Sequence, residues 1–374
     1  MKKIVFLTGT RADFGKLKSL IDKVEQSKEF HPHIFVTGMH MLKKYGFTVQ
    51  EVEKCGFSNV YKYINQHSED TMDVVLAKTI SGLSDYVKEV EPDMIVVHGD
   101  RVEAMAGAIV GSLNNILVSH IEGGEVSGTI DELIRHSVSK MSHLHYVSNE
   151  TAKSRLVQLG EAEKSIHVIG SPDLDIMSSG ELPKIDDVLN HYDIPFNDYG
   201  VLMYHPVTTE VEQLKDNITQ VVDAIIESGK NFVVIFPNND HGTDIIISEY
   251  ERFRGLGRVK VFPSVRFESF LTLLKHAKVV IGNSSAGVRE APFYGIPSID
   301  IGTRQKDRAT AESIVNTDNK SEEILDALNR EYSNKYAAYR EFGSGDSDER
   351  FISSISESKL WNTAKQKVFV DFNR

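Results

Sequence analysis

Short apolar runs, each closed by Gly, Asp or Ser, alternate with stretches that carry apolar residues at helical spacing along most of this 374-residue chain. In the first half the runs are Lys3 to Leu7, Ile34 to Thr37, Met94 to His98, Ile116 to Ile121, His145 to Val147 and His167 to Ile169. Between them, Leu17, Leu20, Ile21 and Val24, or Val75, Leu76, Ile80, Leu83 and Val87, recur at intervals that put them on one side of a helix. Strands that alternate with helices require right-handed crossovers, and so a parallel sheet covered on both faces.

The alternation pauses at Gly170-Ser171-Pro172 and through the loosely apolar region Ser178 to Asn197. It resumes with Gly200 to Tyr204, Phe232 to Phe236, Val259 to Phe262, Val279 to Ile281 and Ser298 to Ile301. The expected fold is therefore α/β, with two doubly wound, Rossmann-like domains and a cleft between them. The first domain is placed at residues 1–178 and the second at 179–357. A last helical piece, around Trp361 to Phe372 within 358–374, is expected to pack back on the first domain.

Charge narrows the function. Lys and Arg number 42 against 54 Asp and Glu, a formal net charge of −12, which disfavours nonspecific binding to nucleic acid or an anionic membrane. No apolar run reaches the roughly 18 residues of a membrane span, and Met1 to Leu7 is too short for a signal peptide. Cys55 is the single cysteine, so an internal disulfide and a thiolate zinc cluster are excluded and a reducing, cytoplasmic setting fits.

The stretch from Val96 to Lys140 places Asp100, Glu122 and Asp131, with Arg101, Arg135 and several histidines, at turns that follow apolar strands. In an open parallel sheet the C-terminal strand ends border one crevice, so carboxylates there should converge. The alternative is an unusually acidic surface.

Two segments suit phosphate. After the first strand, Thr8-Gly9-Thr10-Arg11-Ala12-Asp13-Phe14-Gly15-Lys16 feeds a helix start whose free N–H groups would face an anion, with Arg11 and Lys16 adding positive charge. It is not a P-loop, because Gly9 and Gly15 are one residue too far apart and Leu17 stands where Ser or Thr would bind magnesium. A merely structural turn is the other reading. In the second half, Gly282-Asn283-Ser284-Ser285-Ala286-Gly287-Val288-Arg289-Glu290 runs from a strand into small residues that open a helix, where Ser284 and Ser285 could cradle a diphosphate. Glu290, about one and a half turns along, could accept from a ribose diol or lie on a solvated face. His205, at the end of a strand, is either a ligand contact or a structural residue, and Arg304, after the strand ending near Ile301, is either a phosphate clamp or a surface charge.

Fourteen histidines invite a metal, yet there is no His-Glu-x-x-His helix, and His31/His33 and His143/His145 sit at strand-like spacing. No metal and no cofactor are expected. A Gly-x-Ser-x-Gly nucleophile elbow is also missing. Carboxylates are left as the candidate catalytic groups.

Taken together and in order, GTRADFGKL, TGMHM, HGDRVEA, HIEGGEVSGTIDELIRHS, GSPDLD, HPVTTE, FPNND, GNSSAGVREAP and GTRQ resemble the hydrolysing UDP-N-acetylglucosamine 2-epimerases of bacterial sialic acid synthesis. The resemblance covers nearly the whole chain. It implies a GT-B fold and conversion of UDP-N-acetylglucosamine and water to N-acetylmannosamine and UDP, without metal or nicotinamide, by a homodimer or homotetramer. It places catalytic carboxylates at Asp100, Glu122 and Asp131. UDP contacts fall on Arg11, Arg101, His205, Asn238, Val265, Ser284, Ser285, Glu290 and Arg304, and Lys16 and Arg135 join the residues expected to bind substrate.

Two departures from the non-hydrolysing relatives favour the hydrolysing branch. Met39 and Met41 stand where those enzymes carry the Gln and Arg that bind an activating UDP-sugar, and Arg11-Ala12-Asp13 replaces their Arg-Pro-Glu. Related hydrolysing enzymes act on UDP-2,4-diacetamido-2,4,6-trideoxyglucose in the legionaminic acid route, and this substrate stays open. A GT-B glycosyltransferase and a nonenzymatic nucleotide-sugar sensor are the more distant readings.

Overall fold

β1 (Lys2–Thr8) enters the first helix through Thr10, whose hydroxyl accepts from the Asp13 N–H while the Asp13 carboxylate reaches back to the Thr10 N–H. This reciprocal cap starts the helix Arg11–Gln26 at a fixed residue. Its buried stripe is the one the spacing predicts, with Leu17, Leu20, Ile21 and Val24 at 0% exposure. The computed structural model describes all residues except 68, 69, 128, 239, 307 and 372–374.

By the density of internal contacts the chain forms two units, one of residues Met1–Glu125, Asp131–Gly180 and Glu341–Arg374, the other of Val126–Ile130 and Glu181–Arg340. The first contains β1, β2 (Phe30–Val36), β3 (Val60–Lys62), β4 (Met94–His98), β5 (Leu117–Ile121), β6 (Leu144–Val147) and β7 (Ile166–Val168). These make one sheet in the order β3-β2-β1-β4-β5-β6-β7, parallel at every pairing. The second unit contains β8 (Gly200–Met203), β9 (Phe232–Ile235), β10 (Val259–Phe262), β11 (Val279–Gly282), β12 (Ser298–Ile301) and β13 (Ile314–Thr317). Its order, β10-β9-β8-β11-β12-β13, is again wholly parallel.

Both sheets reverse their winding between the first strand and the fourth, at β1/β4 and at β8/β11. Ligands of such sheets bind in the crevice outside the carboxyl ends at that reversal. The loops that follow β1, β4, β8 and β11 are accordingly the ones to inspect.

Two strands escaped the sequence reading. β3 and β13 are edge strands of three and four residues, with Lys62 and Asn316 interrupting their apolar character. The helix expected around Trp361 to Phe372 is also corrected. Ser358–Asn362 form a single tight turn, the chain continues without helix to Asp371, and residues 372–374 lie outside those described.

The returning helix is instead Ser347–Ser356, just before the piece expected to be helical. Phe351 and Ile355, four residues apart and both at 0% exposure, supply its apolar stripe. The Phe351 ring meets Phe6 and Tyr146 at centroid distances of 6.5 and 4.9 Å, so this helix shares the core of the first unit. Among the described residues, no helix is long and apolar enough to cross a membrane.

Candidate functional site

The first unit gathers its charged groups around Glu122, at the carboxyl end of β5. Glu122 has φ 62°, a left-handed conformation that costs a non-glycine residue roughly 1–3 kcal/mol and that clusters at functional sites. Its N–H donates to the Tyr146 carbonyl at 2.8 Å, which holds the turn against β6.

Both carboxylate oxygens of Glu122 are engaged. The Ser171 hydroxyl donates to Oε1. His98 Nε2 stands 3.0 Å from Oε2 and Lys16 Nζ 3.6 Å from it. Lys16 is also 3.5 Å from Asp173 Oδ2, and all of these side chains are 10% exposed or less.

Arg135 ties this carboxylate turn to the next. One guanidinium nitrogen donates to the Glu122 carbonyl at 2.9 Å and the other to Asp100 Oδ2, in the turn after β4. Arg135 NH1 is also 3.8 Å from Glu125 Oε2. A buried arginine therefore joins the Asp100 carboxylate to the Glu122 main chain. Asp131 lies in the first turn of the helix Ile130–Met141, four residues before Arg135.

His120 serves the scaffold. Its Nε2 donates to the Gly99 carbonyl at 2.8 Å and its Nδ1 lies 3.0 Å from the Ser139 hydroxyl, and burial lowers its pKa to about 3. The neutral ring pins the turn that carries Asp100.

The loop after β1 follows the structural one of its two readings. The N–H groups of Gly9 and Thr10, read as open to an anion, donate instead to the Asp13 carboxylate at 3.0 and 2.9 Å, and the Thr8 hydroxyl adds a third bond at 2.6 Å. An acid three residues into the helix competes with any external anion for those donors. Arg11 pairs with Glu51, and Lys16 points into the carboxylate cluster rather than joining the loop. Arg101, just before the helix Val102–Leu113, lies 3.8 Å from the buried Glu103.

In the second unit, Asn283 organises the carboxyl ends of β8 and β11. Its side chain accepts the His205 N–H at 2.6 Å and donates to the His205 carbonyl at 2.9 Å. His205 Nδ1 accepts the Asn238 N–H at 3.1 Å, which leaves the ring proton of the neutral form on Nε2. The Asn283 carbonyl accepts from Arg304 at 3.2 Å and from Gln305 at 3.0 Å. Arg304 and His205 thus meet on Asn283, which no sequence argument had singled out, and Asn238 joins them through the His205 ring.

Gly282 cannot be replaced without moving backbone, since it has φ +129° and a Cβ would lie 1.9 Å from the Met203 carbonyl. Ser284 caps the following turn through a 3.4 Å bond from the Ala286 N–H. The single helix expected from Ser284 through Glu290 is broken. Ser285–Val288 and Glu290–Phe293 are separate short turns, divided at Arg289 with φ −116° and ψ −68°. Pro292 lacks the N–H that would bond the Val288 carbonyl, and its ring crowds that oxygen.

Glu290 is 3% exposed and Arg304 7%, so neither is a solvated surface charge. Val265 packs into the apolar cluster with Tyr199 and Met203. Asp300, at the end of β12, was missed; burial pushes its carboxyl up to about 7 against the pull of Arg308 and Arg304.

The model of the family described as UDP-N-acetylglucosamine 2-epimerase matches residues 22–356. The chain is 49% identical to the UDP-N-acetylglucosamine 2-epimerase of Neisseria meningitidis serogroup B, with all of both chains covered. It is 32% identical to the UDP-N,N'-diacetylbacillosamine 2-epimerase (hydrolyzing) of Legionella pneumophila, with 94% of each covered. Among solved structures, that of UDP-GlcNAc 2-epimerase from Neisseria meningitidis bound to UDP-GlcNAc superimposes with a TM-score of 0.81 over 94% of this chain and 99% of its own, at 17% identity. The last likeness is one of fold, and with the two parallel sheets it gives the GT-B class. A match of this extent makes the chain a member of the UDP-N-acetylglucosamine 2-epimerase family.

Proposed function

We propose that this protein is a hydrolysing epimerase that converts UDP-N-acetylglucosamine and water to N-acetylmannosamine and UDP, for sialic acid and capsule synthesis in the cytoplasm. The observation that carries the reading is Arg135, one buried guanidinium that binds both the Asp100 carboxylate and the Glu122 turn. The relative at 49% identity supports the substrate.

The proton at C2 of the sugar is weakly acidic, while UDP is a good leaving group. In the first step the C1–O bond breaks, its electron pair leaves with UDP, and the C2 proton passes to a carboxylate, giving a 2-acetamidoglucal. In the second, water oxygen adds to C1 and a proton returns to C2 on the opposite face. Inversion at C2 therefore needs one base and one acid. Asp100 and Asp131 are assigned these roles, each contributing roughly 10²- to 10⁴-fold.

Glu122 is assigned to the developing oxocarbenium charge. Lys16, His98 and Ser171 on its two oxygens favour a fixed anion over a proton carrier. His205, Asn238, Val265, Ser284, Ser285, Glu290 and Arg304 are assigned to UDP, with Arg11 and Arg101 contributing charge to the departing diphosphate. Incubation with UDP-N-acetylglucosamine and with UDP-2,4-diacetamido-2,4,6-trideoxyglucose, with the freed sugar identified by NMR, tests the assignment. Free N-acetylmannosamine is expected. Release from the diacetamido sugar alone would move the protein to the other hydrolysing branch.

A further inference from the structure

The turn Gly170-Ser171-Pro172-Asp173, after β7, reaches Glu122 directly through Ser171 and by way of Lys16 through Asp173. Ser171 is 1% exposed and its hydroxyl donates to Glu122 Oε1. Asp173 is 0% exposed, and the Lys16 ammonium lies 3.5 Å from its carboxylate and 3.6 Å from that of Glu122. One buried cation is thus shared by two buried anions. Charges this far from water are weakly screened, so the division of Lys16 between them matters.

The turn is itself held from a distant part of the chain. The Ser171 N–H donates to the Phe342 carbonyl at 2.7 Å. Gly170 and Gly343 pack backbone to backbone, such that a Cβ on Gly343 would lie 2.8 Å from the Gly170 Cα. Two residues past Asp173, Asp175 accepts from the Ser347 N–H at 2.9 Å and its hydroxyl at 2.6 Å. The returning segment 342–347 therefore fixes the turn, and the turn fixes Glu122.

We propose that Ser171 and Asp173 are positioning residues for Glu122. Ser171 sets the direction of the carboxylate through Oε1. Asp173 draws off part of the Lys16 charge, which leaves Glu122 under-compensated and so able to stabilise positive charge at C1. Around Glu122 stand Lys16 from the helix Arg11–Gln26, His98 from β4, Arg135 from the helix Ile130–Met141 and Ser171, with Asp173 on the far side of Lys16; Arg135 in turn holds Asp100 and Glu125.

The inference rests on the epimerase reading, and the two are tested apart. Ser171→Ala removes a donor to the carboxylate, and Asp173→Asn removes the competing anion. Each variant should lower kcat about 10- to 100-fold with KM for the UDP-sugar within about twofold, as expected for a misplaced catalytic group. The acid limb of the kcat–pH profile should move up in Ser171→Ala and down in Asp173→Asn.

The same opposite displacements should appear without turnover in the carboxyl-carbon NMR titration of Glu122, with protein labelled at its glutamate carboxyls and the signal assigned by Glu122→Gln. A Glu122 titration unmoved in both variants, or moved in the same direction, overturns the proposal whatever the substrate proves to be. Should Asp173→Asn not fold, the upward displacement in Ser171→Ala decides alone. Failure of the wild-type protein to release a free sugar refutes the epimerase reading instead.

Discussion

Asn283 and His205 exchange two buried hydrogen bonds, N–H to Oδ1 at 2.6 Å and Nδ2 to carbonyl at 2.9 Å, across 78 residues of sequence. The pair closes the gap between the ends of β8 and β11 where the second sheet reverses. Replacing Asn283 by alanine leaves a donor and an acceptor of His205 buried and unmet, at a cost of about 2–4 kcal/mol. Urea unfolding should show that loss. Calorimetric titration with UDP should show binding at least about tenfold weaker, because His205 loses its fixed support, while the main-chain carbonyl that receives Arg304 is kept.

Asp13 gives a contrasting case, in which a residue of an expected binding loop stabilises the fold. Its carboxylate takes the Gly9 and Thr10 N–H groups and the Thr8 hydroxyl. Asp13→Ala should cost about 1–2 kcal/mol, the value of a lost helix cap. A melting temperature equal to that of the wild type would contradict this account of the loop.

The raised carboxyl of Asp300 makes stability depend on pH. In the unfolded chain it titrates near 3.8 and in the folded protein near 7, so the folded state keeps a proton that the unfolded state has lost between those values. Stability from this group is highest below the unfolded pKa and falls as pH rises toward 7. Asp300→Asn, which stays neutral, should flatten the dependence and be more stable than wild type at pH 8 by on the order of 3 kcal/mol. Asp175, raised to about 6 by burial despite its bonds to Ser347 and Ser19, adds a smaller fall in the same direction. Urea midpoints at pH 5 and pH 8 for both proteins measure the effect.

The assignment of Asp100 predicts a loss confined to chemistry. Asp100→Asn should lower kcat by roughly 10²- to 10⁴-fold and leave UDP affinity near that of the wild type. Turnover within a few-fold of wild type would remove Asp100 from the mechanism.

Much of this was legible in the sequence, for identifiable reasons. Parallel strands buried on both faces read as apolar runs, so β4, β5, β8 and β11 and the carboxylates after β4 and β5 were placed correctly. What could not be read depends on contacts remote in sequence. The pairings Ser171 to Glu122, Lys16 to Asp173 and Asn283 to His205 leave no local pattern, although GSPDLD had been noted as a string. Phe351 and Ile355 were hidden because only three apolar residues, Phe351, Ile352 and Ile355, mark a helix in a Ser-rich stretch. The first loop was left open between an anion site and a structural turn, and the bonds from its N–H groups to Asp13 favour the second.

The central claim is that the C2 proton leaves the sugar and is replaced from solvent. It is tested most directly by running the reaction on UDP-N-acetylglucosamine in deuterium oxide and recording the NMR spectrum of the freed sugar. The account predicts N-acetylmannosamine carrying deuterium at C2, together with UDP. N-acetylmannosamine that keeps the original hydrogen at C2 would contradict it.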